Sequence, residues 1–147
     1  MKRFALFTIS LLLISFSFAG SLHHKVVSAK IQSSIKEETV VYSADGVTMI
    51  GYVAYDSSSN KKRPAILVVP EWWGLTDYAK SRARQLAALG YIAMAVDMYG
   101  DGKVADNPGD AGKLATPFYK DPEMAKTRFD AALAKLKTFK QTDTKMF

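Results

Sequence analysis

Pro70 to Leu75, with the sequence PEWWGL, places a carboxylate and two indole rings directly after an apolar run. The run, Ala65 to Val69, contains no polar residue. This is typical of an inner strand of a parallel sheet that helices cover on both faces. Ligands of an open α/β sheet bind just beyond the carboxyl ends of its strands. Glu71, Trp72 and Trp73 are therefore expected where such a fold carries its chemistry.

These three residues have two interpretations. In the functional one, the carboxylate of Glu71 holds or accepts a proton beside a reacting group, and the two indole rings keep water out of a site. In the structural one, Trp72 and Trp73 are core or rim aromatics, and Glu71 is a solvated loop acid. Residue types alone leave both interpretations open, so the elements around the segment have to be considered.

The segments before and after the apolar run predict an α/β fold. Lys36 to Ser43 and Val47 to Tyr55 alternate in polarity around the turn residues Asp45 and Gly46, which indicates a β-hairpin. A helix is expected from an N-cap at Thr76 to Gly90, with Ala79, Ala83, Leu86 and Ala87 on its inner face. A second buried strand, Tyr91 to Val96, completes a right-handed parallel βαβ unit.

The loop after this second strand should lie on the same edge of the sheet as Glu71. It spans Asp97 to Gly102, with the sequence DMYGDG. Asp101 to Lys120 is rich in Gly, Asp and Pro, and it is expected to be a long loop with a short helix near residues 113–119. Asp121 and Pro122 then begin another helix, whose apolar positions are Ala125, Phe129, Ala132, Leu133 and Leu136. Met146 and Phe147 are interpreted as the start of a further strand.

The N-terminus has the pattern of a secretory signal peptide. Lys2 and Arg3 precede an apolar run at residues 4–18, and Ser17 and Ala19 supply small residues for cleavage before Gly20. The run is too short and too interrupted to span a bilayer, which takes about 20 apolar residues. We therefore divide the chain into a signal peptide (1–19), a mobile arm (20–35) and a domain (36–147) of a periplasmic or secreted protein without stable membrane insertion.

Composition and charge exclude several kinds of site. Without residues 1–19 the chain has 18 Lys plus Arg against 14 Asp plus Glu, and these charges are scattered rather than gathered on one face, so nucleic acid is not predicted as a partner. The absence of cysteine excludes disulfides, thiolate metal sites and a cysteine nucleophile within these 147 residues. No His, Asp and Glu cluster has metal-ligand spacing, so no metal or other cofactor is expected.

The order of hairpin, strand, PEWWGL, helix ending in LGY and strand ending in VDMYGDG resembles the dienelactone hydrolase family of the α/β-hydrolase fold. The resemblance begins near Val40 and covers the first half of the family's domain. It implies a hydrolase of small-molecule carboxylic esters or lactones with a Cys or Ser nucleophile, an Asp and a His. It also implies that Glu71 contacts the nucleophile, that the Trp72 backbone N–H contributes to the oxyanion hole, and that Trp73 and Tyr99 line the substrate pocket.

The sequence departs from the family where the nucleophile should be. The G-x-S-x-G elbow, or its cysteine variant, belongs after the strand that begins at Met146, and His23 and His24 precede the first strand. We therefore expect a partial α/β-hydrolase, a hairpin plus βαβ units of a mainly parallel sheet, truncated before the elbow. The alternative is an exported α/β binding or structural module without catalysis. The unpaired, apolar sheet edge that such a module would expose argues against it.

Overall fold

A β-hairpin opens the part of the chain that the computed structural model describes, residues 34–145. Strands β1 (Ile35–Ala44) and β2 (Val47–Asp56) pair antiparallel along their whole length. Asp45 and Gly46 both adopt positive φ, 50° and 73°, which suits a tight two-residue hairpin turn. The predicted hairpin is therefore confirmed. The predicted signal peptide, nearly all of the predicted arm, and Met146 and Phe147 lie outside the described residues.

A βαβ unit and two helices follow the hairpin. Their bounds are β3 (Ala65–Val68), α1 (Asp77–Ala88), β4 (Ile92–Ala95), α2 (Pro108–Lys120) and α3 (Pro122–Lys137). The strands form one sheet in the order β1-β2-β4-β3. As predicted, β3 and β4 are parallel, whereas β2 pairs antiparallel with both β1 and β4. The described sheet is thus mixed rather than mainly parallel. None of the helices within residues 34–145 is long and apolar enough to cross a bilayer.

The prediction that Ala65 to Val69 is a fully buried inner strand is wrong for the described residues. β3 is the edge strand of this sheet, and its four side chains are only half-buried. The central position belongs to β4, whose four residues are all buried between β2 and β3. Both runs are apolar, and apolarity alone does not say how many neighbours a strand has.

The outer edge of β3 is paired only at its beginning. Arg63 N–H donates to Gln141 O at 2.7 Å, and Asp143 N–H donates to Arg63 O at 2.8 Å, which forms a short parallel bridge. Because the carbonyls of Pro64 and Val68 face β4, the alternation of a strand turns the polar backbone groups of Ala65 and Leu67 outward. Those groups have no partner within residues 34–145.

The core lies in two layers, one on each face of the sheet. On one face α1 packs its small side chains Ala79, Ala83 and Ala87, as predicted, against Ala93 and Ala95 of β4. On the other face, α3 packs against the larger side chains of β4 and the hairpin, with a buried stripe formed by Arg128, Ala132 and Leu136. Phe129, which was predicted to belong to that stripe, is 38% exposed.

The loop predicted for Asp101 to Lys120 is instead largely helix α2. Asn107 caps this helix, because its side-chain oxygen accepts the backbone N–H of Asp110 at 3.0 Å. Ala111 and Ala115, four residues apart, are buried. Helix α2 contains Gly109, Gly112 and Pro117, which lower helix propensity, so the capping and burial must offset that cost.

Candidate functional site

The site begins with a four-residue turn at the carboxyl end of β3. Gly74 N–H donates to Glu71 O at 3.1 Å and closes the turn. Gly74 has a φ of +85°, and a Cβ at this position would clash with the carbonyl oxygen of Lys103. Ala105 N–H donates to Trp73 O at 2.9 Å, so the turn is held against the segment that follows Gly102.

Trp72 is the second residue of this turn, and its backbone N–H is available to a ligand. A β-turn is closed by a hydrogen bond between the carbonyl of its first residue and the N–H of its fourth, so the N–H of the second residue takes no part in that bond. No acceptor within residues 34–145 occupies the N–H of Trp72. The Trp72 side chain is 43% exposed and contacts the Trp73 ring edge-on, with 5.2 Å between ring centroids. The Glu71 side chain is also exposed.

The loop after β4 is anchored by Asp97, whose side chain is fully buried. One carboxylate oxygen, Oδ1, accepts the N–H groups of Tyr99 at 3.0 Å and Gly100 at 2.8 Å. The other, Oδ2, accepts the N–H groups of Ile50 at 3.0 Å and Gly102 at 2.8 Å. Asp97 therefore closes its own loop and ties it to β2.

Two further hydrogen bonds position this loop against its surroundings. Arg128 of α3 donates from Nη1 to Met98 O at 2.6 Å, and its guanidinium lies over the Phe118 ring, 5.1 Å from the centroid. Tyr99 donates from its hydroxyl to Trp72 O at 2.8 Å, so the loop directly contacts the turn. Burial, with a smaller effect of Tyr119, raises the pKa of Tyr99 and keeps it a donor at neutral pH.

Two pockets have Glu71 in their linings, and each has a volume of about 250 Å³. The first, here called the aromatic pocket, is bounded by Glu71 and four aromatic side chains, with Met98 at its wall. These aromatic residues are Trp72, Tyr99, Phe118 and Tyr119. The second, here called the Arg82 pocket, is lined by Glu71, Trp73, Thr76, Tyr78 and Arg82.

The structure brings the four predicted site residues together at one edge of the sheet. Glu71, Trp72 and Tyr99 share the aromatic pocket, whereas Trp73 faces the Arg82 pocket with Glu71. Their chemical roles stay predictions. Sequence reasoning missed Phe118 and Tyr119 as pocket residues, because it predicted only a short helix near residues 113–119 in place of the full helix α2 and did not place that helix at the site. The signal was present in Asn107 and Pro108, a helix start, followed by Ala111 and Ala115 at helical spacing.

Within residues 34–145, no group of three His, Cys, Asp or Glu side chains is arranged to hold a metal ion. The groups that the site itself presents are the backbone N–H of Trp72, the exposed carboxylate of Glu71 and the aromatic walls. Such a set can bind an uncharged organic molecule and can stabilise negative charge that develops at the Trp72 N–H.

The chain is similar in sequence and in fold to known proteins. A family model described as the dienelactone hydrolase family matches residues 49–147. A relative in Aquifex aeolicus, provisionally named a carboxymethylenebutenolidase, is 40% identical over 86 residues, which are 56% of this chain and 36% of that protein. The chain therefore spans about a third of this relative's length.

Two solved structures are also similar, and the chain covers 47% of each. The protein m3DLH has a TM-score of 0.74 at 30% identity over 77% of this chain. P91, a dienelactone hydrolase-like promiscuous phosphotriesterase from metagenomic libraries, has a TM-score of 0.73 at 34% identity over the same share. The predicted fold, a partial α/β-hydrolase, and the predicted family are thus confirmed. Because the family model matches well over half of the residues of this chain, the chain belongs to the dienelactone hydrolase family.

Proposed function

We propose that the protein acts in the hydrolysis of carboxylic ester or lactone bonds in small molecules. The observation that carries this proposal is the backbone N–H of Trp72, which has no acceptor within residues 34–145 and lies after the carboxyl end of β3 beside the aromatic pocket. Membership of the dienelactone hydrolase family supports it, and a hydrolase-type name among the relatives agrees with it.

In the proposed reaction, a nucleophile attacks the carbonyl carbon of the ester, and the carbonyl oxygen becomes an oxyanion. The Trp72 N–H donates a hydrogen bond to that oxyanion. One such donor contributes about 10²- to 10³-fold in rate, or roughly 3–4 kcal/mol. The intermediate then collapses, the alcohol leaves with a proton from a general acid, and water releases the acyl group.

No residue of this sequence is assigned as the nucleophile or the base, because it contains no cysteine and no G-x-S-x-G pattern, and its two histidines, His23 and His24, precede the first strand. Glu71 is assigned a supporting role. A carboxylate next to a thiol or hydroxyl accepts a hydrogen bond from it and takes up its proton when substrate rearranges the pair. The exposed position of the Glu71 side chain, shared by both pockets, fits a group that meets a residue from another segment.

We further propose that this chemistry takes place outside the cytoplasm. The support is the N-terminal pattern, in which Lys2 and Arg3 precede an apolar run and Ala19 precedes the expected cut.

The function is tested by supplying the attacking residues. The 147-residue chain is assayed alone on p-nitrophenyl acetate and on a dienelactone, and again after fusion to the part of m3DLH that lies beyond the shared region. We expect turnover from the fusion only. In the fusion, Glu71→Ala should lower kcat, whereas Glu123→Ala, an exposed carboxylate on α3, should leave it unchanged. Triad-like turnover by the chain alone, or equal effects of the two substitutions, would contradict the proposal.

The role of the Trp72 N–H is tested with a matched pair of variants. Trp72→Pro removes both the N–H and the indole ring, and proline suits the second position of a β-turn. Trp72→Ala removes the indole ring alone. If the N–H stabilises the oxyanion, the proline variant of the fusion should be roughly 10²- to 10³-fold slower than the alanine variant. Equal rates of the two variants would show that this N–H does not stabilise the oxyanion.

A further inference from the structure

Ester hydrolysis by itself does not specify which ring shape or which charge the aromatic pocket accepts. Three of its aromatic rings come from three different segments: Trp72 from the turn after β3, Tyr99 from the loop after β4, and Phe118 from α2. We infer that this pocket binds a neutral, flat ring of the substrate and disfavours a ring that carries a carboxylate. That this ring belongs to a substrate rests on the proposed function, whereas the binding preference of the pocket does not.

The size and lining of the pocket fit an aromatic or unsaturated ring. Its volume is about 250 Å³, whereas an apolar cavity of roughly 150 Å³ in another protein accommodates benzene. The ring planes of Phe118 and Tyr99 are inclined to each other by 51°, with 5.7 Å between the ring centroids, so the two rings are not stacked face to face. Aromatic rings prefer offset or edge-to-face neighbours, and a flat guest can make such contacts with these walls.

The charge of the pocket opposes an anionic guest. Among residues 34–145, Glu71 is the one ionisable side chain in its lining apart from the phenols of Tyr99 and Tyr119. Arg128 contacts the Phe118 wall of the pocket, but it is only 9% exposed, and one of its nitrogens donates to Met98 O. Arg128 therefore supports the pocket wall and does not line the pocket. A carboxylate on the guest ring would face the Glu71 carboxylate without a cation in the lining.

The Arg82 pocket differs in this respect. The Arg82 pocket contains a guanidinium that stacks on Tyr78 at 4.8 Å from the ring centroid, and this cation is exposed. An anionic ring should accordingly be directed away from the aromatic pocket. The two pockets, which share Glu71 in their linings, thus differ in charge. Such a difference can exclude an unsuitable ligand by repulsion as well as select a suitable one by contact.

The test uses the 147-residue chain and amides that resist hydrolysis. Trp72 and Trp73 are the only two tryptophans in the sequence, and each belongs to a different pocket. Their indole N–H signals in a ¹H–¹⁵N NMR spectrum, assigned with Trp73→Phe, therefore report on the pockets separately. The probes are acetanilide, 4-acetamidobenzoate, which adds only a carboxylate, and N-cyclohexylacetamide, which replaces the flat ring by a saturated one.

Acetanilide should shift the Trp72 signal and bind at least roughly tenfold more tightly than 4-acetamidobenzoate, a difference of about 1.4 kcal/mol. N-cyclohexylacetamide should bind several-fold more weakly than acetanilide. Glu71→Gln, at an exposed position, should reduce the preference for acetanilide, and the control Glu123→Gln should not. Equal or tighter binding of 4-acetamidobenzoate at Trp72, or an unchanged preference in Glu71→Gln, would overturn the inference, as would shifts of Trp73 alone with acetanilide.

A second readout keeps the inference testable if the variants of the isolated chain prove unstable. In the fusion with m3DLH, kcat/KM for phenyl acetate should exceed that for 4-acetoxybenzoate by roughly tenfold or more, and Glu71→Gln should narrow the ratio. A ratio near one would overturn the inference while leaving ester hydrolysis intact. Conversely, a fusion without turnover would refute the proposed function, whereas amide binding at Trp72 would still support the pocket's preference.

Discussion

Replacing Asp97 by Asn should strongly destabilise the protein. Each carboxylate oxygen of this fully buried residue accepts two backbone N–H groups at 2.8–3.0 Å. An asparagine has one oxygen and one NH₂ group, so whichever way it is oriented, two backbone donors face another donor. Two hydrogen bonds to a charged acceptor, at about 1.5 kcal/mol each, are then lost, which gives a destabilisation of about 3 kcal/mol.

This loss is measured by urea unfolding, followed by the fluorescence of Trp72 and Trp73. With an m-value of about 1.5 kcal/mol/M, the unfolding midpoint should fall by about 2 M. Asp101→Asn is the matched control, because Asp101 lies in the same loop with its side chain 59% exposed and bonded to Lys103 at 3.1 Å. The control substitution should change the free energy of unfolding by no more than about 0.5 kcal/mol. If the two variants unfold at the same urea concentration, Asp97 does not anchor the loop.

Three further predictions concern other parts of the chain. Mass spectrometry of exported protein should find an N-terminus at Gly20, and an intact Met1 would contradict export by cleavage. Burial alone would raise the pKa of Asp56, but hydrogen bonds from Ser58 and the charge of Arg63 lower it from 3.8 to about 2. Its carboxylate therefore stabilises the fold above about pH 4 and loses that effect as the pH falls through 2. Asp56→Asn should accordingly lower the urea midpoint at pH 7 and change it little at pH 2, and equal losses at both would refute this. Val69→Lys, at an exposed position that follows β3, should reduce aggregation in light scattering more than Val41→Lys on β1.

The hairpin and the βαβ unit could be predicted because their signals are local. Alternation of polarity and the Asp45-Gly46 pair define the hairpin, and Ala79, Ala83 and Ala87 repeat at the spacing of one helix face. Each signal reflects the geometry of a single element. The meeting of the turn at Glu71 with the loop at Asp97 also followed, because parallel strands end at the same edge of a sheet.

The order of the strands could not be predicted in the same way. AILV in β3 and IAMA in β4 are both apolar throughout, yet β4 is buried and β3 lies at the edge. A strand's burial depends on which elements lie beside it, and this information is spread over the whole chain. The full length of helix α2, of which only residues 113–119 were predicted as helix, was missed for a related reason. Its glycines and Pro117 lower the local propensity, whereas burial of Ala111 and Ala115 is a tertiary effect.

The sequence did not predict that Asp97 anchors its loop. This anchoring affects how the proposed oxyanion site is organised. Asp97 fixes the loop that carries Tyr99, and the Tyr99 hydroxyl holds the carbonyl of Trp72. From the other side, Ala105 holds the carbonyl of Trp73. The peptide groups around Trp72 are thus oriented by residues of the described chain before any nucleophile or substrate arrives. Electrostatic stabilisation of a transition state depends on donors that need no reorganisation during the reaction. A substitution at Asp97, which is remote from the Trp72 N–H in sequence, should therefore weaken the proposed oxyanion site by loosening the loop that supports it.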